Sequence, residues 1–261
     1  MHVSCEIMRE GLWVVKKSLS MLFVCMALIL AIGSTAVMGA KPVLKVGTSA
    51  DFPPFEFQDE KTGAYLGFDM DLIHAIGKAA DMEVQIVNTA WDGLIPGLLT
   101  GNFDCIISAM TITEERLKAV AFSDPYFAAS QVIVTKTDDS SIKTVEDLKG
   151  KQISVQIGTT GDLEASEIEG AIVKRFNLAP DAIQEVRNGS VPACIIDLAV
   201  AEAISEQYKD IKFGEPITSE DYGIAIRKGN KELLEKINDA LASIKASGEY
   251  DKIFADWFPI D

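Results

Sequence analysis

Histidine and cysteine are scarce in this chain, and their scarcity closes off several kinds of chemistry. Of 261 residues, two are histidine (His2 and His74) and four are cysteine (Cys5, Cys25, Cys105 and Cys194). Only His74 lies beyond the first forty residues, so a histidine-based metal site or a serine–histidine triad would have to rest on that one ring. His74 falls on the polar side of a helical pattern whose apolar side is Leu72, Ile73, Ile76, Ala79 and Ala80, which predicts a solvent-facing ring. Cys105 and Cys194 each sit in an apolar, strand-like run, Cys105-Ile106-Ile107 and Ala193-Cys194-Ile195-Ile196. A disulfide in an oxidising compartment is the competing reading, but two central strands of different domains are poorly placed to bring their Cα atoms into its range, so both thiols are expected to be buried as small hydrophobes. Positive charge is also short, 24 Lys+Arg against 39 Asp+Glu, a formal charge of −15. That balance argues against a nucleic-acid partner, while an acidic surface keeps a protein soluble and monomeric without revealing a ligand. There is no short-period repeat and no low-complexity linker.

Long apolar stretches are limited to one, from about Leu22 to Ile32, preceded by Lys16 and Lys17 and followed by small residues from Gly33 to Ala40. This is the three-part pattern of a secretory signal peptide over residues 1–40, too short and wrongly flanked for a stable membrane span. Cleavage is expected after Ala36 or Ala40, Met8 is an alternative start, and an uncleaved anchor is the competing reading. Leu22-Phe23-Val24 before Cys25 poorly fits a lipid-attachment site. The leader is slightly basic, so its removal leaves a still more acidic chain of roughly 220 residues, enough for two compact domains.

In that chain, short β-branched runs alternate with amphipathic helical patterns. Strands are expected at 43–49, 84–88 and 104–109, with helices at 69–81, 91–101 and from about 113. A second unit repeats the logic with strands 131–136 and 152–157, a helix over 162–176, a strand over 193–197 and a helix over 198–208. Leu233, Leu234, Ile237, Leu241 and Ile244 then form one helical stripe ended by Gly248, before a last apolar helix with Ile253, Phe254 and Trp257. Alternating strands and helices predict an α/β fold built on mainly parallel sheets. Between the two units, Pro125 in Phe122-Ser123-Asp124-Pro125-Tyr126-Phe127 imposes extended backbone on the residue before it, which suits a connecting segment.

Residues 108–116, Ser-Ala-Met-Thr-Ile-Thr-Glu-Glu-Arg, carry an apolar strand into a helix start whose first turn holds Arg116. Open N–H groups at the helix start, the Thr111 hydroxyl and a guanidinium can together receive a carboxylate. Thr111 and Glu114 also have the spacing of a capping box, so an ordinary cap beside a surface arginine is the competing reading.

Several blocks in fixed order resemble the extracellular solute-binding proteins of polar amino acid ABC importers. They are Asp51-Phe52-Pro53-Pro54-Phe55-Glu56-Phe57, Gly67-Phe68-Asp69-Met70-Asp71-Leu72, Trp91-Asp92-Gly93-Leu94-Ile95-Pro96-Gly97-Leu98, Ile112-Thr113-Glu114-Glu115-Arg116, Phe122-Ser123-Asp124-Pro125-Tyr126, Gly158-Thr159-Thr160-Gly161 and Tyr222-Gly223-Ile224-Ala225. The resemblance implies the two-lobed type II periplasmic-binding-protein fold, with lobe one at 41–130 and 223–261 and lobe two at 131–222. Hinges would lie near 126–131 and 218–223. It also implies a monomer outside the cytoplasm, in the periplasm or its equivalent, that binds a free polar L-amino acid (glutamine-, arginine/lysine- or histidine-like) without cofactor or metal. The ligand would then pass to a membrane permease.

Carried over residue by residue, the resemblance places the ligand carboxylate on Arg116 and Thr111, with Ser108 and a backbone contact at Ala109. Thr159 and Thr160 of the Gly-Thr-Thr-Gly turn join from lobe two. That turn lacks the lysine of a phosphate-binding loop, and its glycines also fit a plain strand-to-helix turn. Asp197 would accept the α-ammonium, an N-cap being its competing role. Phe52 and Trp91 would wall the side chain, although each also suits core packing. Ser49 and Gln156 occupy positions where the family diversifies. Some relatives have an acidic residue in place of Ser49; Asp51, close by, can compensate, which leaves the amino acid open.

Two rival functions are a periplasmic dehydratase or lyase on the same fold and a ligand-sensing ectodomain. The first needs a general acid or base, and the motif-matched cleft positions provide no histidine and no paired carboxylates.

Overall fold

The computed structural model describes residues 40–258; the expected leader, up to Gly39, lies outside them, as do residues 259–261. Among the described residues no helix is long and apolar enough to cross a membrane.

The chain lays down β1 (Val43–Thr48), a small meander of β2 (Asp51–Phe52), β3 (Glu56–Gln58) and β4 (Tyr65–Leu66), and then α1 (Phe68–Ala79). β5 (Glu83–Asn88) is followed by a 3-10 turn (Trp91–Gly93), α2 (Leu94–Thr100), β6 (Cys105–Ile106), α3 (Glu114–Ala119) and β7 (Val120–Phe122). A crossing strand, β8 (Phe127–Ala129), leads to β9 (Gln131–Lys136), β10 (Gln152–Gln156), α4 (Thr160–Glu167) and β11 (Ile172–Phe176). Next come α5 (Ala179–Arg187), β12 (Ala193–Asp197), α6 (Leu198–Gln207) and β13 (Ile211–Phe213). The chain returns through β14 (Glu220–Tyr222) to β15 (Ala225–Arg227), α7 (Lys231–Ser247) and α8 (Glu249–Trp257).

Two five-stranded sheets result, in the orders β5-β1-β6-β15-β7 and β11-β10-β12-β9-β13, each the centre of one lobe. The sheets are mixed rather than mainly parallel. β1 runs parallel to β5 and β6, whereas β15 is antiparallel to β6 and β7. The second sheet repeats this, with β10 parallel to β11 and β12, and β9 antiparallel to β12 and β13. The antiparallel half arises where the chain enters or leaves a lobe by a crossing strand instead of a βαβ connection.

Other expectations need correction. The helix expected over 162–176 ends at Glu167. Gly170 turns the chain with φ +72°, and the β-branched Ile172 and Val173 then pair with Gln152 and Ile153 of β10 as an edge strand. The expected strand 104–109 is cut to two residues, because Ala109 adopts φ +45° and gives its N–H to a side chain instead of a neighbouring strand. The expected helix 91–101 is split between the 3-10 turn and α2. α5 was not anticipated, although Pro180 in its first turn and buried Ala182, Ile183 and Val186 mark it. Ala79, assigned to the buried side of α1, is exposed, whereas His74 is exposed as expected. Cys105 and Cys194 are buried free thiols.

Leu72, Ile73 and Ile76 of α1 join Ile237, Leu241 and Ile244 of α7 in one core, each nearly inaccessible. Burial of each such side chain stabilises by about 1.5–3 kcal/mol. The crossing strands β8 and β14 pair antiparallel, with Tyr222 opposite Phe127. Their rings stack at 5.5 Å, and Phe55 meets Phe127 edge-on at 4.9 Å. Such contacts contribute about 0.5–1.5 kcal/mol each beyond burial, which holds the crossing firmly against lobe one.

Candidate functional site

The carboxyl ends of the parallel strands face the gap between the lobes, where an open α/β sheet receives its ligands. Ser49 follows β1, Gln156 ends β10 and Asp197 ends β12. Together with Phe52, Trp91, Ala109, Thr111, Arg116, Thr159 and Thr160 they line one narrow cavity. Ten of the eleven residues singled out in the sequence thus converge. Ser108 does not line the cavity: its hydroxyl accepts from Ser49 N at 3.0 Å and donates to Glu56 Oε1 at 2.8 Å, bracing the wall from behind.

Arg116 comes from the first turn of α3, and the cap of that helix is Thr113, whose hydroxyl accepts from Arg116 N at 3.1 Å. The capping box expected at Thr111 is therefore not formed; the helix starts at Glu114, and the Thr111 hydroxyl instead donates to Glu220. Arg116 is buried, and its guanidinium donates to Thr111 O at 2.8 Å and to Gly158 O of the other lobe at 3.2 Å. Its carbon lies 5.2 Å from the centre of the Trp91 ring. Burial pushes the Arg116 pKa down to about 10, and Glu220 and Asp197 partly offset that. A buried guanidinium satisfied only by two carbonyls is well suited to an incoming carboxylate.

On the second lobe, Thr159 caps α4, and its hydroxyl accepts from Asp162 N at 3.2 Å. A side chain on Gly161 would come 2.8 Å from the Ile195 carbonyl, so glycine there lets α4 lie directly on β12 and brings Thr160 to the cavity. Asp197 occupies the N-cap position of α6 without capping it. Its carboxylate instead accepts from the Tyr222 hydroxyl of β14. Burial raises the Asp197 pKa to about 7, countered in part by the Tyr222 hydrogen bond and reinforced by Glu220.

Two acids complete the lining: Asp51, weighed in the sequence as a substitute for an acid at Ser49, and Glu56, which was not singled out. Asp51 Oδ1 accepts from Ser49 Oγ at 2.9 Å, and its Oδ2 accepts from two groups of lobe two, Gln156 Nε2 at 3.2 Å and Ala179 N at 3.1 Å. Burial raises its pKa, with the hydrogen bonds from Ala179 N and Ser49 Oγ opposing. Glu56 lies beside Asp69 in full burial, and one oxygen of each, Oε2 and Oδ1, has no other partner. Burial first, then repulsion by Asp69, raises the Glu56 pKa well above the usual carboxylate range. Asp69 Oδ2 accepts from Ala109 N at 2.7 Å and from Tyr126 Oη at 2.8 Å, which fixes the left-handed Ala109 turn to the start of the crossing. Glu56 stands between Phe55 and Phe57 in the sequence; an acid inside an apolar, alternating run was the available signal.

The lining therefore holds one guanidinium against three carboxyls, walled by Phe52 and Trp91. No group of three or more histidine, cysteine or acidic side chains among the described residues is arranged to hold a metal ion.

The model of the bacterial extracellular solute-binding proteins, family 3, matches residues 44–260. A probable histidine-binding protein of Neisseria gonorrhoeae is 36% identical, the match covering 93% of this chain and 96% of the relative. ABC transporter arginine-binding protein 1 of Escherichia coli is 37% identical, over 88% of this chain and 97% of its own. Among solved structures, an ancestral arginine-binding protein bound to arginine superimposes with a TM-score of 0.81 at 48% identity, covering 84% of this chain and 99% of that one. Fold, cavity and sequence agree, and the chain belongs to the bacterial extracellular solute-binding proteins, family 3.

Proposed function

We propose that the protein binds a free L-amino acid with a cationic side chain, arginine-like, outside the cytoplasm and delivers it as a monomer to the permease of an ABC importer. Arg116 and Asp197, opposite charges lining one cavity, carry the reading, because they complement the carboxylate and ammonium that every free amino acid presents. Asp51, the acid beyond the Arg116–Asp197 pair, favours a ligand with one further positive charge, and Phe52 and Trp91 supply apolar faces for an aliphatic stem. Ser49, Asp51 and Gln156 are then the head-group end, Thr111, Thr160 and Arg116 the carboxylate end. The similarity to arginine-binding relatives supports the same choice. Export through a leader over residues 1–40, lobes spanning 41–130 with 223–261 and 131–222, and closure about the crossing strands belong to this reading. It assigns no chemistry to the site. The acids in the cavity supply the carboxyls that a dehydratase would need, which makes that rival testable and not merely formal.

Calorimetry with L-arginine, L-glutamine and agmatine separates the possibilities. L-Arginine is expected to bind, L-glutamine more weakly, and agmatine, which lacks the carboxylate, not measurably. Arg116→Ala and Asp197→Ala should each remove about 2–5 kcal/mol of binding. Equal affinity for L-arginine and agmatine overturns the carboxylate site, and turnover of a bound keto or hydroxy acid overturns the binding-only reading.

A further inference from the structure

We infer that Glu220, on the crossing strand β14 and outside the ligand cavity, is a positioning residue that ties Thr111 to Thr160 and so holds the two lobes together when no ligand is bound. One carboxylate oxygen, Oε2, accepts from Thr111 Oγ1 at 2.7 Å and from Thr160 Oγ1 at 2.9 Å. Thr111 lies between β6 and α3 of the first lobe, and Thr160 opens α4 of the second. A single atom therefore spans the gap. The other oxygen, Oε1, accepts from Thr218 Oγ1 at 2.9 Å, and Gln131 Nε2 donates to Thr160 Oγ1 at 3.0 Å, so both the carboxylate and its partner are fixed.

The clasp does not compete with a ligand. Thr111 and Thr160 line the ligand cavity on one side and, on the other, a separate open cavity lined by Glu220 and Thr218. Glu220 lines the second cavity and not the first. Hydrogen bonds to an ionised acceptor are about twice as strong as neutral ones, and two of them joined at one oxygen favour the closed arrangement without any ligand contact. Because apparent affinity scales with the fraction of competent protein, the clasp lowers the dissociation constant of every ligand by the same factor. Nothing in the local sequence, Thr218-Ser219-Glu220-Asp221, carries a motif for this role.

Small-angle scattering of the ligand-free protein tests the clasp directly, and calorimetry with L-arginine tests its effect on binding. Only the calorimetric arm rests on the amino acid reading. Ligand-free Glu220→Ala should have a larger radius of gyration than the wild type, and Thr160→Val, which removes one donor while keeping shape, should shift the same way. Glu220→Gln keeps a weaker acceptor and should fall between. L-Arginine should bind Glu220→Ala about tenfold more weakly, while contracting it more than it contracts the wild type. Equal ligand-free radii for the wild type and Glu220→Ala overturn the clasp; if that variant does not fold, equal radii for the wild type and Thr160→Val do the same. Failure of L-arginine to bind the wild type sinks the functional reading instead, and the radii still decide the clasp.

Discussion

Asp197 meets two demands with one carboxylate. Its place at the head of α6 would let it cap the helix, yet it turns to the Tyr222 hydroxyl and the cavity. Burial there lets it hold its proton up to about pH 7, against an ordinary value of 3.8. In the ligand-free protein this group's contribution to stability is fully present below about pH 4 and is lost as pH rises through about 7. Ligand affinity moves the opposite way, because an ammonium is received by the ionised form. Affinity for L-arginine should therefore fall as pH drops below 7, by up to about tenfold per unit, and binding at pH 6 should release protons, read as a dependence of calorimetric enthalpy on buffer. Asp197→Asn should abolish both. A flat profile between pH 5 and 8 would remove Asp197 from the ammonium site.

At the scale of elements, the joint of α4 with β12 decides where Thr160 sits. Gly161→Ala would drive a Cβ to within 2.8 Å of the Ile195 carbonyl and 3.0 Å of Gln131 Oε1, and backbone cannot yield there as a flexible side chain would. We expect a loss of about 1–3 kcal/mol in urea unfolding together with weaker ligand binding; an unchanged midpoint would mean that the contact is looser than the geometry indicates. Elements of this kind were unevenly legible in the sequence. β1, β9, β12 and α7 announce themselves by apolar period, and Arg116, Thr160 and Asp197 by their place at strand ends or helix starts. α4 and β11 merged into one expected helix because Ile172 and Val173 follow α4 closely, and only the pairing with β10 reveals them as an edge strand. Thr113 displaced Thr111 as a cap because a helix start is set by backbone dihedrals, which composition does not reveal. Glu220 owes its position to a chain crossing, which no local pattern encodes.

For the molecule as a whole, the two lobes meet through paired crossing strands and through side chains from both sides, including Arg116 to Gly158 and Asp51 to Gln156 and Ala179. A ligand that contacts both lobes selects the closed arrangement in proportion to its differential affinity. L-Arginine at one hundred times its dissociation constant should raise unfolding free energy by about 2.7 kcal/mol, and scattering should show a smaller radius at saturation with Trp91 fluorescence changing at the same midpoint. An unchanged radius in wild type and Glu220→Ala alike would describe a rigid pocket instead of a clamp.

The order β5-β1-β6-β15-β7 has a consequence for how the chain can assemble as it emerges vectorially. β7 attaches to its sheet only through β15, and β15 is separated from β7 by the whole of the second sheet. Until residue 225 appears, β6 presents a bare edge with unpaired N–H and C=O groups, the kind of edge that recruits foreign strands. α7 and its stripe of Ile237, Leu241 and Ile244, which covers α1, arrives later still. The second sheet, whose five strands are contiguous from Gln131 to Phe213, has no such delay. The lobe that is translated first is thus the one completed last, and its half-built sheet must be kept from premature pairing until the carboxyl-terminal segment closes it.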